Sequence, residues 1–476
     1  MKKLILIPSL LVAISASAQM RDSLAFGKPL PTAPADARIT RALHDVSSQR
    51  IKANIEALVA FRNRSTISST TKDLPPNTGV LAASDWIKQQ FESYSAACGG
   101  CLEVKVDDFI EPPAHGKNAR ITEPTRIRNV YAILRGSDPA AAKRMYLVTG
   151  HYDTRVADVM DTHDPAPGAN DDSSGTAVSL ESARILSKSK FPATLVFVAV
   201  AGEEQGLNGS KHLAQLAKQE GWQLEGVLNN DIVGGDTTPG ETLQNKSLVR
   251  VFSQGINPHS PADVIARELM LGLDNDSPSR QLARAVLSVD RTYFPAPVKP
   301  LHAVMELRLD RFLRGGDHSS FSALEFPAVR FTEWRENFNH QHQHVHTENG
   351  VEYGDLLKFD DFLYIANVAR LNMATLATLA SSPGLPQNVR VVTSNLDNNT
   401  TLKWDAPLAG GAGDVLYRIV WRDTTSNDWQ RFTTTADREI TLPISKDNIF
   451  FGIEACDKST IHCSPAVAPL PEQTRR

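Results

Sequence analysis

Short apolar runs rich in β-branched residues recur in the middle of the chain, at 145–150, 194–201, 226–230 and 327–332. Runs of this length and composition are typical of buried strands in a largely parallel sheet. Between the first two, residues 175–189 place apolar side chains at helical spacing, directly after a loop of Asp, Asn, Ser and Gly. This alternation predicts an α/β domain with helices on both faces of the sheet.

The pattern changes after the last helical segment, which ends at Ser381. Beyond the SSPGLPQN linker, short strand-like runs follow one another at regular spacing with turn residues between them. Such spacing is typical of a small all-β sandwich, which we predict over 384–470. Trp404 in TLKWD and Tyr417 in YRIVWRD resemble the pattern of a fibronectin type III module.

Length and composition agree with this division. The 476 residues exceed one ordinary domain, and 41% hydrophobic with 22% charged residues is typical of a soluble globular protein. We predict that the α/β domain spans 76–381, and that the polar, partly helical segment 19–75 is either a propeptide or part of that domain. A formal net charge of −4 without basic clusters argues against nucleic-acid binding.

The first eighteen residues have the form of a secretory signal peptide. Lys2 and Lys3 precede the short apolar run LILIPSLLVAI, and the small residues ASA end at Ala18. The run is too short to span a bilayer comfortably, and no later segment is long and apolar enough, so we expect no membrane segment. Cleavage after Ala18 would give a secreted or periplasmic protein.

Export makes paired cysteines more plausible than free ones. Cys98 and Cys101 lie in CGGC, and Cys456 and Cys463 lie in CDKSTIHC, so two local disulfides are the simplest of the three connectivities. CGGC could also be a redox motif or half of a zinc knuckle, but no second CxxC accompanies it.

Acidic residues and a histidine follow the predicted strands at the points where the strands end. His151 and Asp153 follow the first strand, Glu203 and Glu204 the second, and Asp231 the third. Because ligands of open α/β sheets gather at the carboxyl ends of the strands, these side chains can converge. Imidazole with several carboxylates suits zinc, manganese or cobalt, and two ions about 4 Å apart could share a water for hydrolysis.

Two further segments could complete such a site. The loop PGANDDSSG carries Asp171 and Asp172, either of which could instead serve a turn, with Asp172 or Ser173 capping the next helix. The stretch NHQHQHVHTENG, residues 339–350, contains four histidines: His340, His342, His344 and His346. Each feature alone is usually structural; it is their joint occurrence in workable order that indicates a metal site.

The motif series HYDT, PGANDDSSG, AGEEQGLNGS, NNDIVGG, DHSSF and HT is similar to that of the bacterial zinc aminopeptidase family, over residues 130–350. That family includes leucyl aminopeptidases of the Vibrio and Streptomyces type and is related to glutamate carboxypeptidase and the transferrin receptor. The resemblance implies a three-layer αβα sandwich with a mixed, mostly parallel sheet. It also implies two zinc ions per chain and peptide substrates with a free amino terminus.

The resemblance also implies a role for each matching residue. The metal ligands would be His151, Asp171 as the bridge, Glu204, Asp231 and His346, the histidine that Thr follows as in the family motif. Glu203 would be the general base that deprotonates a water bridging the two zinc ions, and Asp153 would orient His151. Asp317 and His318, in GGDHSSF, would hold substrate, stabilise an oxyanion or only support the structure.

Several functions stay open at this point. Glutaminyl cyclase shares the fold and much of the ligand set but works with one zinc ion. A carboxypeptidase or dipeptidase could use the same metal centre. A binding protein with an inactive peptidase domain should have lost a ligand, and none is missing. The stretch between Asp231 and His346 departs from the compact relatives, and we predict that it shapes the substrate pocket.

Overall fold

A computed structural model of the chain describes residues 22–295, 301–394, 397–408, 415–459 and 461–472. The predicted signal peptide, 1–18, lies outside these residues. The helices are α1 (Asp22–Ala25), α2 (Ala37–His44), α3 (Ser48–Val59), α4 (Gly79–Ala97), α5 (Ser174–Leu186), α6 (Glu203–Gly206), α7 (Asn208–Gln219), α8 (Ala262–Met270), α9 (Pro278–Tyr293), α10 (His318–Ala323) and α11 (Phe362–Ser381).

The strands of the first part of the chain are β1 (Lys28–Pro29), β2 (Leu102–Glu111), β3 (Thr125–Leu134), β4 (Arg144–His151), β5 (Thr194–Val200), β6 (Gln223–Asn230), β7 (Leu248–Ser253), β8 (His302–Glu306), β9 (Ala328–Glu333), β10 (His346–Glu348) and β11 (Val351–Tyr353). After α11 follow β12 (Gln387–Val391), β13 (Thr400–Asp405), β14 (Leu416–Asp423), β15 (Arg431–Thr435), β16 (Glu439–Leu442), β17 (Ile449–Cys456) and β18 (Leu470–Pro471). The four apolar runs predicted as strands are β4, β5, β6 and β9.

One mixed sheet of eight strands, in the order β2-β3-β5-β4-β6-β9-β7-β8, forms the centre of the α/β domain. Strands β5, β4, β6 and β9 run parallel to one another, whereas β2, β3 and β7 each have an antiparallel neighbour. The carboxyl ends of β4, β5 and β6 therefore lie at the same end of the sheet. Because β5 lies on one side of β4 and β6 on the other, the connections of the chain diverge there. This is the position at which open α/β sheets hold their ligands.

Different helices cover the two faces of this sheet. In β5, Leu195 and Phe197 belong to a core that includes residues of α3, α4, α5, α9 and α11, whereas Val196 and Val198 belong to a second core with α7 and α10. Alternate side chains of a strand point to opposite faces, so a strand covered on both sides is apolar throughout. The predicted three-layer αβα sandwich is confirmed.

Helix α5 approaches the central strands closely because glycines lie at the contact. A Cβ atom on Gly175 would lie 2.0 Å from the carbonyl oxygen of Asn230, and one on Gly150 would lie 2.3 Å from the carbonyl carbon of Gly175. Asp172 Oδ1 accepts a hydrogen bond of 2.9 Å from the Gly175 N–H in the first turn. Asp172 thus satisfies a free N–H at the helix start, as predicted.

The described part of the segment 19–75 packs into the α/β domain. Helices α2 and α3 contact α11. The buried Arg64 guanidinium donates hydrogen bonds to the carbonyl oxygens of Leu58, Tyr152 and Pro167 at 2.7–2.8 Å. A buried cation without such acceptors is very costly, so this segment and the loops after β4 stabilise one another.

The strands after α11, together with β1, form two four-stranded sheets, ordered β16-β13-β12-β18 and β1-β15-β14-β17. The sheets share one apolar core around Trp404, Tyr417 and Trp421. The predicted C-terminal β-sandwich is therefore confirmed, and the short strand β1 from the beginning of the chain extends its second sheet. Its relation to fibronectin modules stays a prediction.

Both local disulfides are present. Cys98 and Cys101 join the end of α4 to the start of β2, and Cys456 and Cys463 lie in the sandwich. These are the two bridges that sequence proximity favours, and no free cysteine remains.

Buried ion pairs fix the sandwich to the α/β domain. Arg422 Nη2 of β14 donates to Asp276 Oδ2 at 2.7 Å, and Arg284 Nη1 of α9 lies 3.4 Å from Asp276 Oδ1. All three side chains are buried. Removing one member of a buried ion pair costs about 3–5 kcal/mol, so the two parts depend on each other for stability.

Helix α11 is long and apolar enough to cross a membrane by length and composition alone. However, 83% of its apolar window is buried, because it packs beneath the central sheet. Its composition is therefore that of a core helix.

Candidate metal centre

The ends of β4 and β6 bring His151 and Asp231 to the loop that carries Asp171. His151 Nε2 lies 3.1 Å from Asp171 Oδ1 and 3.9 Å from Asp231 Oδ1. All three side chains are buried, and one ligand atom from each lies within 4.8 Å of the others. We call these residues the inner group. The convergence of His151 and Asp231 agrees with the prediction that side chains at the carboxyl ends of these strands can meet.

Asp171 also belongs to a second set, with Glu204 and His342, which we call the outer group. His342 Nε2 lies 3.0 Å from both Asp171 Oδ2 and Glu204 Oε1. Their ligand atoms again lie within 4.8 Å of one another. Asp171 therefore presents Oδ1 to the inner group and Oδ2 to the outer group.

His346, which we predicted as the last ligand, lies away from this cluster. It pairs with Tyr353 in the β10–β11 hairpin, its exposed ring stacks on Tyr353 at 4.5 Å, and its Nδ1 lies 2.9 Å from the His344 carbonyl oxygen. The prediction is wrong because hairpin pairing turns His346 towards solvent. The chain instead turns at His342, whose φ is 55°, and directs that ring inward.

The other two histidines of the stretch have separate partners. His340 stacks on Phe359 at 3.7 Å, and its Nδ1 lies 3.3 Å from Asp236 Oδ1. His344 Nδ1 lies 2.9 Å from Asp164 Oδ2 on the surface. The Thr that follows His346 is thus a poor criterion for choosing among the four histidines. No signal in the sequence favoured His342.

Asp153 positions both His151 and the start of α6. His151 Nδ1 lies 3.0 Å from the backbone carbonyl oxygen of Asp153 and 3.4 Å from its Oδ1. An oxygen partner at Nδ1 places the proton there and leaves the lone pair on Nε2, towards the cluster. The Asp153 carboxylate also accepts the N–H groups of Glu203 and Glu204, at 3.3 and 3.2 Å. The residue lies where the predicted orienting role requires it.

Asp355, which lies in no recognised motif, holds the loop that carries Asp171. Its Oδ1 accepts the N–H of Asn170 at 2.8 Å, and its Oδ2 accepts the N–H of Asp171 at 2.7 Å. An isolated Asp after the β10–β11 hairpin belongs to no motif, so only the folded chain shows this contact.

A buried arginine holds Asp231 from behind. Arg330 Nη2 lies 2.9 Å from Asp231 Oδ1, and its Nη1 lies 3.0 Å from Asp310 Oδ2. Charge-assisted contacts of this kind fix a carboxylate more firmly than neutral hydrogen bonds do.

The pKa shifts report concentrated negative charge. Burial disfavours imidazolium, yet the hydrogen bonds to Asp153 and Asp171 raise the pKa of His151 well above its ordinary value. Burial also opposes protonation of His342, but Glu204 and Asp171 raise its pKa to about 10. Divalent cations would relieve the same excess of charge. The imidazole and carboxylate donors fit zinc, and two sets sharing one carboxylate fit a pair of ions.

A cleft of about 380 Å³ opens over the cluster. Glu203, partly buried, lines it next to Glu204, and burial with neighbouring carboxylates raises the pKa of Glu203 well above its ordinary value. The stretch between Asp231 and position 346 contributes much of the wall, as predicted. From that stretch come Arg311, Arg314, Gly315, Gln341 and His342.

Asp317 and His318 lie behind this wall. Both side chains are fully buried, neither lines the cleft, and His318 Nε2 lies 2.7 Å from the Leu309 carbonyl oxygen. Of the roles left open by the sequence, this placement favours structural support. The connection that carries them reaches the cleft instead through Arg311 and Arg314.

Comparison with known proteins finds zinc metalloproteases among the relatives of the chain. Residues 129–260 match the profile described as Peptidase family M28. A probable zinc metalloprotease of Leptosphaeria maculans is 43% identical over 91% of this chain and 97% of that protein. A probable zinc metalloprotease of Pyricularia oryzae is 42% identical over 92% of this chain and 85% of that protein. The LapA aminopeptidase of Legionella pneumophila shares the fold, with a TM-score of 0.50 and 19% identity over 74% of this chain and 78% of LapA.

Proposed function

Because the chain belongs to peptidase family M28, we propose that it is an exported zinc aminopeptidase, which removes the amino-terminal residue of peptides. The observation that carries the proposal is the pair of donor groups that share Asp171 beside Glu203, within one cleft. Both Asp171 and Glu204 present carboxylate oxygens to imidazole nitrogens, and zinc takes its ligands from these same donor types.

Each group would hold one of two zinc ions. His151 and Asp231 would ligate the first, Glu204 and His342 the second, and Asp171 would contact both. This is the ligand set expected from the sequence with His342 in place of His346. Bound zinc supplies Lewis-acid activation of the scissile carbonyl and of the attacking water.

Glu203 moves the protons of the reaction. Its carboxylate accepts a proton as the water oxygen bonds to the carbonyl carbon, and it returns a proton to the peptide nitrogen as the C–N bond breaks. The water is thereby divided between the new carboxyl group and the new amine. Burial raises the pKa of the Glu203 carboxyl, which makes its carboxylate a stronger proton acceptor. Asp153 fixes the backbone from which Glu203 projects.

Restriction to the amino terminus and export are supported by different features. The motif series from HYDT to HT resembles aminopeptidases, in which the free α-amine approaches the metal centre, and the fold shared with LapA is compatible with this. Export is supported by the form of residues 1–18 and by two disulfides, which persist in oxidising compartments.

The experiment is turnover of a panel of aminoacyl chromogenic substrates by the wild type and Glu203→Gln, with zinc measured on both. We expect about two zinc ions in each protein and turnover lowered about a thousandfold in the variant, since only proton transfer is lost. A variant that keeps both ions and full activity would overturn the mechanism.

The same preparations separate the alternatives. Glutaminyl cyclase chemistry predicts about one zinc ion and cyclisation of amino-terminal glutamine, and a carboxypeptidase predicts cleavage of N-acetylated peptides. We expect free-amine peptides to be hydrolysed and their N-acetylated counterparts to be spared.

A further inference from the structure

Three arginines without carboxylate partners line the cleft over the metal centre. Arg120 lies between β2 and β3, Arg155 follows β4, and Arg314 lies between β8 and α10. In the described parts of the chain, none of the three forms an ion pair. Three separate connections thus place a guanidinium at the same opening.

Their contacts leave these charges available. Arg120 Nη1 donates to the Glu204 carbonyl oxygen at 2.8 Å, and Arg155 donates to the carbonyl oxygens of Val156 and Ala157 at 3.0 and 3.1 Å. A backbone carbonyl orients a guanidinium without neutralising it. The fourth cleft arginine, Arg311, differs because Asp310 and Glu336 pair with it.

The acidic residues of the cleft do not offset these charges once metal is bound. The four carboxylates of the cleft, those of Asp171, Glu203, Glu204 and Asp231, carry four negative charges. Two divalent ions would balance them with four positive charges. The unpaired arginines then make the opening positive on a chain whose formal net charge is −4. A cleft of one sign attracts ligands of the other.

The cleft also lacks a large apolar wall. Of the described residues that line it, Leu207 alone has a large apolar side chain. A pocket for a leucine or phenylalanine side chain is built mainly from apolar and aromatic groups. The preference of leucyl aminopeptidases is therefore a poor guide to this cleft.

We propose that the cleft selects peptides with a carboxylate group near the scissile bond, and that Arg120, Arg155 and Arg314 are specificity-determining residues. This inference rests on the proposed peptidase function. A guanidinium matches a carboxylate with two parallel hydrogen bonds, which a neutral amide cannot reproduce. The carboxylate can be an acidic side chain at the first or second residue, or the terminal carboxylate of a short peptide.

Matched peptides distinguish these sources. Three kinds of matched peptide pair are compared, and the two members of each pair differ by one charge at similar size. The first kind has Glu or Gln at the first residue, and the second kind has Glu or Gln at the second residue. The third kind is a tripeptide that ends in a free acid or an amide. We expect kcat/KM of the wild type to favour the charged member of at least one pair about tenfold. The preference should shrink between about 0.02 M and about 0.5 M NaCl, because salt screens exposed charges.

The double variant Arg155→Gln/Arg314→Gln is the informative one. It keeps Arg120, which contacts Glu204, and it keeps Arg311, which is ion-paired. We expect the charged-to-neutral ratio of kcat/KM to fall about fivefold or more. Arg267→Gln, on the exposed helix α8, is the control with the same loss of charge outside the cleft and should keep the ratio.

Binding gives a second measurement. Calorimetric titration of zinc-loaded Glu203→Gln with the preferred peptide and its neutral counterpart should show the same order of affinity as kcat/KM. Hydrolysis of neutral and charged peptides at equal kcat/KM would overturn the inference while leaving the peptidase function intact. Failure to hydrolyse any of the peptides would overturn both.

Discussion

The inner and outer groups of the metal centre share Asp171 but are built on different supports. In the inner group, His151 and Asp231 end two adjacent parallel strands, and their side chains are 1% and 3% exposed. In the outer group, Glu204 lies in the four-residue helix α6 and His342 on a loop, where its side chain is 23% exposed. The inner group is therefore held by the strands of the sheet, whereas Glu204 and His342 of the outer group are held by segments that connect strands.

The difference extends to the residues behind the ligands. Asp153 holds the His151 ring and Arg330 holds Asp231, whereas the His342 ring forms its ion pairs, among the described residues, with Asp171 and Glu204 of its own group. Outer partners orient ligands and raise metal affinity. We therefore expect the inner position to bind zinc more tightly than the outer one.

His151→Ala should have the largest effect, because it removes a buried ligand that nothing nearby can replace. We expect loss of the inner ion and kcat/KM lowered about a thousandfold, since metal activation of carbonyl and water is worth several kcal/mol. Zinc analysis and peptide turnover on the same sample test this. A variant with two ions and near-normal turnover would show that the inner group is not a metal site.

His342→Ala should have a smaller effect, because it removes the outer ligand and leaves the inner group complete. We expect zinc content to fall from about two ions to about one and kcat/KM to fall about a hundredfold, with partial recovery in excess zinc.

His346→Ala is the matched control, four positions later in the same histidine-rich stretch. Its ring stacks on Tyr353 at the surface, so zinc content and turnover should stay at the wild-type values. If His346→Ala lost the second ion and His342→Ala kept it, the sequence-based choice would be correct and the observed arrangement of the outer group would be wrong.

The contrast between the groups also explains what could be predicted from sequence. The strand-end positions of His151, Glu204 and Asp231 follow from hydrophobic runs whose ends are easy to place. The β-sandwich was predictable for the same reason, since β13 and β14 alternate with clear turn signals. Local patterns determine these features, and the sheet then brings them together.

The loop contacts could not be predicted in this way. Which of four histidines turns inward depends on the positive φ at His342 and on the register of the β10–β11 hairpin, and neither has a signature in the sequence. Asp355 and Arg330 likewise act through distant partners. The burial of Asp317 and His318 depends on how the preceding connection covers them, so their motif alone left the choice between a substrate contact and a structural role open.

Asp355→Asn should have the smallest effect of the three changes, because Asp355 does not line the cleft and supports the centre through the loop before α5. In the wild type, both carboxylate oxygens accept backbone N–H groups, from Asn170 and Asp171. The amide of asparagine has one acceptor oxygen, so its NH₂ would face one of these N–H groups and leave a buried donor unpaired, at a cost of about 1–3 kcal/mol. Since Asp171 belongs to both groups, we expect zinc affinity to fall about tenfold at both positions.

Asp360→Asn provides the control for this change. Asp360 is also buried, its pKa is raised well above the ordinary value by burial and by Asp355, and neither of its oxygens has a hydrogen-bond partner among the described residues. The same substitution there removes no contact to the loop and should leave zinc affinity unchanged. Competition with a chelator measures affinity in both variants, and thermal unfolding separates a local effect from general destabilisation. Equal zinc affinities in Asp355→Asn and the wild type would show that the Asp171 loop keeps its position without this carboxylate.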